Sequence, residues 1–211
     1  MSTKVIPQLL VLLIFIEYFA LAQVKVEPRL VGGACEGCEA ILEFNDRWPD
    51  AVDTLPDFSK SGQKIKITGT VFRQDGIIPA ADVILYIYHT DQTGVYPTTG
   101  EEKGWARRHG YLRGWVKTDQ NGHYAFYTLK PGEYPNHNEP AHIHLTVMEP
   151  DGKYYWLESY HFAGDDLLTD KEINPENPRG GSTGLVTLEK RGDIWVGSRD
   201  VVLGKNIPGY F

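Results

Sequence analysis

His142 and His144 stand one residue apart in HIHLTVM, a run whose other members are apolar or β-branched. Successive side chains of a strand point to opposite faces, so Ile143, Leu145 and Val147 share one face, and His142, His144 and Thr146 share the other. With the apolar triplet turned to a core, both imidazoles point away from it together. Their Cα atoms then lie about 7 Å apart, from a rise of about 3.4 Å per residue. Two imidazoles so placed can converge on one ion. The strand by itself is also what two solvated surface histidines would show.

The surroundings favour the ion. Tyr134 lies in the proline-punctuated stretch EYPNHNEPAHIHLTV that leads into the strand, and Tyr96 lies in GVYPTTG within another long loop. Two imidazoles and two phenols form a donor set suited to ferric iron. Imidazole is a good iron ligand, and phenolate is a hard, charged donor. A phenol with an ordinary pKa near 10 rarely serves zinc, because its phenolate is costly at neutral pH. A trivalent ion overcomes that cost, and two phenolates cancel two of its three charges.

The elements that must position these residues are strands. KIKITGTVF, from residue 64, alternates with period two. VILYIYH, residues 83–89, is apolar almost throughout and reads as a central strand. YLRGWVKT and HYAFYTL flank Asn121-Gly122, a strong hairpin signal. HIHLTVM and KYYWLESYHF follow, separated by Pro150-Asp151-Gly152, and LVTLEK and DIWVGSRDVVL close the chain. About eight short strands with turns between them predict an all-β fold, an antiparallel β-sandwich over residues 64–211. Its longest interruptions, residues 90–110 and 130–139, carry Tyr96 and Tyr134. Long loops on such a scaffold are where function tends to sit.

The rest of the chain bounds the setting. A total of 211 residues suits one large domain, and a net charge of −7 offers no basic stripe for nucleic acid. Aromatic residues make up 12%, too many for a disordered chain. Residues 1–22 read as a signal peptide: Lys4, an apolar run over 9–19 broken only by Glu17, then Ala20-Leu21-Ala22. An uncleaved anchor is the alternative, but the run falls short of the roughly 20 apolar residues a span needs. The expected location is therefore secreted or periplasmic. Residues 23–63 read as an irregular N-terminal arm with a helical turn near Glu39. Cys35 and Cys38 within it form a C-x-x-C pair, expected in an exported chain to be a small disulfide.

Three pieces of the chain, ITGTVFRQDGIIPAADVILYIYHTDQTGVYP, GWVKTDQNGHYAFYTLKPGEYP and PAHIHLTV, together with FAGDDLLTD, resemble the intradiol ring-cleavage dioxygenases, the catechol and protocatechuate dioxygenase family. The resemblance runs from about residue 65 to residue 170. It implies one mononuclear non-haem Fe(III) per chain, a catechol-type aromatic diol and O2 as substrates, and a muconate-type diacid as product. It implies Tyr96 and His144 as equatorial ligands and Tyr134 and His142 as axial ones, with Tyr134 also acting as a base.

The same likeness exposes departures. Glu139 stands where the family carries arginine before P-A-H, and a carboxylate there would repel a catecholate. Arg113, Arg107 or Arg108 would have to supply the missing charge, with Arg113 the expected stabiliser. Arg108, Trp105 and Tyr111 are the expected substrate contacts. Ser159 stands where the family has glutamine, with His161 nearby. The arm leaves no room for the helical dimerisation region of the cytoplasmic enzymes, so the oligomeric state stays open. The pieces TGTV, DG and TDQNGHYAF also resemble transthyretin-like or carboxypeptidase-regulatory-like binding modules, which lack the two tyrosines and the histidine pair. A divalent-metal site on the histidines alone is the third alternative.

Overall fold

A computed structural model describes residues 26–44 and 48–211. The signal-peptide reading of residues 1–22 lies outside the described residues. Twelve strands follow in chain order: β1 (Arg29–Leu30), β2 (Val52–Thr54), β3 (Lys64–Phe72), β4 (Ile84–Tyr88), β5 (Arg113–Lys117), β6 (His123–Leu129), β7 (His142–Met148), β8 (Lys153–Phe162), β9 (Leu185–Val186), β10 (Glu189–Arg191), β11 (Ile194–Ser198) and β12 (Val201–Val202). The only helices among the described residues are short, α1 (Ala106–His109), α2 (Asp170–Ile173) and two 3-10 turns. None is long and apolar enough to cross a membrane.

The strands form a sandwich. The first sheet runs β1-β8-β7-β4-β5, with β9 beside β8. The second runs β10-β11-β3-β6-β2, with β12 beside β3. Alternation explains the core between them. Ile65, Ile67 and Val71 of β3 meet Leu85 and Ile87 of β4 and Ile143, Leu145 and Val147 of β7, all buried. β4 is apolar on both sides because both its faces are covered. Its Ile84 and Tyr86 enter a second cluster on the outer face of the first sheet, with Cys38, Ala40 and Ile41 from the arm.

Two expectations need correction. The sheets are mixed rather than purely antiparallel: β4, β5, β7 and β8 pair antiparallel, but β1–β8, β8–β9, β2–β6, β3–β11 and β3–β12 are parallel. Four of these parallel pairs involve a strand of two or three residues, too short for its alternation to be seen in sequence; in the fifth, β3–β11, both strands are legible but their pairing is not. Second, β5 and β6 do not form a hairpin. Their turn is tight, with Gly122 N donating to Asp119 O at 2.9 Å. Yet β5 pairs with β4, while β6 pairs with β3 in the other sheet. The chain arches from one layer to the other, so that Val116 and Phe126 both reach the shared core. Gly122 has φ +72°, and a Cβ there would lie 2.5 Å from Val71 O, so the turn presses against the end of β3.

The arm is partly regular. β1 extends the first sheet and β2 the second, while a 3-10 turn at Cys38–Leu42 packs on the first sheet. Cys35 and Cys38 form a disulfide with Cα atoms 5.7 Å apart.

One buried histidine ties the fold to pH. His89 is fully buried; its Nδ1 donates to Thr90 O at 2.6 Å and its Nε2 accepts from Thr128 Oγ1 at 2.7 Å. Burial pushes its pKa down from 6.5 to about 4. The unfolded chain therefore binds more protons than the folded one below pH 6.5, and stability falls as pH drops toward 4. Between pH 7 and pH 5 the expected loss from this group is about 2 kcal/mol. Urea titrations at both pH values should show it, and His89→Gln should lose that much less on acidification.

Candidate metal centre

The face of β7 opposite the core carries His142, His144 and Thr146. In register with His144 on β4 is Tyr88, whose ring stacks on it at 4.3 Å and 13°. On its other side Tyr88 stacks on His109 at 3.8 Å and 7°. The pairing of β7 with β8 shifts between Ile143 and Leu145, so Glu158 and Ser159 both lie opposite His144. Such a bulge re-aims side chains locally. The His142 ring is fixed by its other nitrogen, since Nδ1 donates to Pro140 O at 2.8 Å. This leaves Nε2 as a lone-pair donor pointing outward.

The tyrosines come from the loops. Residues 89–112 leave β4 and return as β5. Their first turn is built on Asp91, whose Oδ1 accepts from Thr93 N at 2.8 Å and Thr93 Oγ1 at 2.7 Å. Residues 130–141 carry Tyr134 toward β7. The two loops are joined by backbone: Gly132 N donates to Asp91 O at 2.9 Å, and Thr90 Oγ1 donates to Gly132 O at 3.1 Å. Gly94, at φ +79°, lets them touch, because a Cβ there would lie 1.8 Å from Glu133 O.

Four donor atoms meet where strand and loops converge. Tyr96 Oη is 2.7 Å from Tyr134 Oη and 2.8 Å from His144 Nε2. His142 Nε2 is 3.1 Å from His144 Nε2 and 3.4 Å from Tyr134 Oη. Donors about 2.1 Å from one ion lie about 3.0 Å apart at right angles, so this spacing fits one shared metal ion. The chemistry of the set fits as well. Burial pushes both phenols, Tyr96 and Tyr134, to higher pKa, and burial followed by the proximity of His142 pushes His144 well down. Neutral imidazoles are ready ligands, and phenols held protonated need a strong cation to ionise. No group of three or more His, Cys, Asp or Glu side chains among the described residues could hold an ion; this set reaches four donors only with its two phenols.

A cavity of about 970 Å³ opens beside the cluster, lined by His142, His144, Tyr88, Glu139, Ser159 and His161 among others. That volume suits a small aromatic ligand. Residues 34–37 of the arm form part of its wall. His161 lines it with a buried Nδ1 that has no hydrogen-bond partner, and burial lowers its pKa to about 4.

The residues expected to touch substrate or stabilise its charge lie elsewhere. Arg113 donates to Glu43 Oε2 at 2.6 Å and its guanidinium sits 5.0 Å over the Trp115 ring, two strands from His144. Arg108 pairs with Glu36 on the surface. Tyr111 donates to Asp57 Oδ2 at 2.9 Å, and Trp105 stacks on His109 at 5.4 Å. None of these four lines the cavity. Tyr88 and His109, which the sequence reading does not single out, form the stack behind His144. No sequence signal marks Tyr88, because its pairing with His144 depends on β4 lying beside β7.

The family described as Dioxygenase matches residues 43–180. The beta chain of protocatechuate 3,4-dioxygenase from Burkholderia cepacia is 28% identical over 135 residues, covering 60% of this chain and 56% of that protein. Catechol 1,2-dioxygenase 1 of Acinetobacter lwoffii is 28% identical over 138 residues, covering 56% of this chain and 42% of that protein. The chain thus spans about half the length of the curated relatives it matches. Among solved structures, the dioxygenase domain of a carbohydrate-binding fusion from Streptomyces sp. SirexAA-E superposes with TM-score 0.54 at 23% identity, over 76% of this chain and 94% of that one. An intradiol ring-cleavage dioxygenase from Tetranychus urticae superposes with TM-score 0.53 at 17% identity, over 84% of this chain and 93% of that one. At these identities the likeness is one of fold.

Proposed function

Because the chain belongs to the intradiol ring-cleavage dioxygenase family, we propose that Tyr96, Tyr134, His142 and His144 hold one non-haem ferric ion and that the protein opens catechol-type diols with O2. The observation that carries this reading is the convergence of two phenol oxygens and two imidazole nitrogens, with neighbouring contacts of 2.7 to 3.4 Å. The ion, when bound, supplies a Lewis acid and template for both diol oxygens. Overall, a catechol and one O2 become a muconate-type diacid. The bond between the two oxygenated carbons breaks, both oxygen atoms enter the product, and no external reductant is consumed.

The chain's own residues divide the work. Tyr96 Oη makes both short contacts, to Tyr134 and His144, and is the anchored phenol. Tyr134 sits on a loop and has the longest contact of the four, 3.4 Å to His142 Nε2. Held as a phenolate by the ion, it would be the one suited to take a diol proton on Oη, as a general base. Pro140 O holds the His142 tautomer, and the Tyr88 ring holds the plane of His144. The cavity beside them receives the ring of the diol.

The reading extends to location. Export is proposed from the apolar run and Ala-Leu-Ala of residues 1–22, and the Cys35–Cys38 disulfide supports it, because such bridges persist in oxidising compartments. Purified protein should contain one iron per chain and show a red to burgundy colour from tyrosinate-to-iron charge transfer. A colourless, iron-free protein that stays colourless when Fe(III) is added would overturn the proposal.

A further inference from the structure

We infer that this site prefers catechols carrying a positive charge, or none, over catechols carrying a carboxylate, and that Glu139 sets the preference. The inference rests on the reading just given and names the substrate class for that same site.

The cavity wall carries four carboxylates, Glu36, Glu139, Glu158 and Glu172, against one ammonium, Lys171, and no arginine lines it. Three of the four carboxylates are engaged. Glu36 pairs with Arg108. Glu158 Oε1 accepts from Arg179 N at 3.3 Å. Glu172 Oε2 accepts from Thr169 N at 3.0 Å and Thr169 Oγ1 at 2.6 Å, closing the first turn of α2. Glu139 is exposed and makes no hydrogen bond or ion pair among the described residues. It sits three residues before His142, at the mouth of the cavity that His142 and His144 line. A free carboxylate at the mouth repels an anionic ring substituent and attracts a cationic one.

The arginines that would reverse this field are committed elsewhere. Arg113 is held by Glu43, and Arg179 lies 3.6 Å over the Trp156 ring, donating to Trp156 O and Gly32 O. Neither lines the cavity.

The test is anaerobic titration of the iron-loaded protein, reading Kd from the diol-induced change in the visible spectrum. The probes are 2-(3,4-dihydroxyphenyl)ethylamine, 3,4-dihydroxybenzoate and unsubstituted catechol. The amine should bind roughly tenfold or more tightly than the carboxylate at low salt, the effect of one partly screened charge in a cleft, and the ratio should shrink as salt is raised. Glu139→Gln should bring the ratio toward one, and Glu139→Arg should invert it. A ratio of one or below in the unaltered protein, or a ratio that both substitutions leave unchanged, overturns the inference while a spectral response to catechol keeps the ferric-site reading. No response to any of the three diols removes that reading and the inference with it.

Discussion

Tyr134→Phe is expected to lower catechol turnover by about 10²- to 10⁴-fold, the usual contribution of a positioned acid–base group, while Tyr111→Phe keeps most of it. The two tyrosines differ in place rather than in chemistry. Tyr134 Oη lies 2.7 Å from Tyr96 Oη and 3.4 Å from His142 Nε2, whereas Tyr111 Oη is spent on Asp57 Oδ2 at 2.9 Å, away from all three other donors. Phenylalanine preserves the edge contact of ring 134 with His142, at 5.2 Å and 84°, so the fold should be untouched. Oxygen uptake with catechol gives the rates. The visible spectrum gives a second readout, because one phenolate fewer should weaken and shift the charge-transfer band. Equal activity in the two variants would remove Tyr134 from the site.

The second large effect is expected from a residue with no side chain. Gly94→Ala should lower ferric affinity by about 10- to 100-fold, the range for groups that orient ligands. A Cβ at this position would lie 1.8 Å from Glu133 O and 3.1 Å from Tyr134 Cα, so the loops of Tyr96 and Tyr134 must part. The 2.7 Å contact between the two phenols is the first thing lost. Gly94 also has φ +79°, which by itself costs an alanine about 1–2 kcal/mol. Gly100→Ala separates the two causes: φ is +92° there, but a Cβ would meet nothing within 4 Å. Competition with a chelator should show iron held as before in Gly100→Ala and poorly in Gly94→Ala. Equal affinity in both variants would mean that the contact of the loops does not set the site.

The sequence carries the part of this structure that depends on alternation. β7 shows its two faces outright, because Ile143, Leu145 and Val147 can only be core if His142 and His144 are not. The doubly covered β4 is legible for the same reason. What fails to show is the choice of partner. Asn121-Gly122 makes a tight turn, yet whether β6 folds back on β5 or crosses to the other sheet depends on β3, far earlier in the chain. LVTLEK looks like one strand but gives Leu185–Val186 to the first sheet and Glu189–Arg191 to the second. In the site, the donors announce themselves by type, while Gly94 looks like any loop glycine and Tyr88 like any strand aromatic. Arg113 is the opposite case. Its charge invites a role, but Glu43, 70 residues earlier, already holds it.

The four donors also fix an order of events. Tyr96 and Tyr134 are separated by 38 residues, and Tyr96 and His144 by 48. No short loop closure gathers them; they meet only after β4 has paired with β7 and both loops have docked. None of the four belongs to the apolar cluster between the sheets. The proposed ferric ion is therefore expected to meet a finished scaffold instead of nucleating one, unlike the small metal-dependent domains that are unfolded without their ion. On the ferric reading loading would be the last step of maturation, and stripping the iron with a chelator should bleach the protein while leaving its sandwich standing.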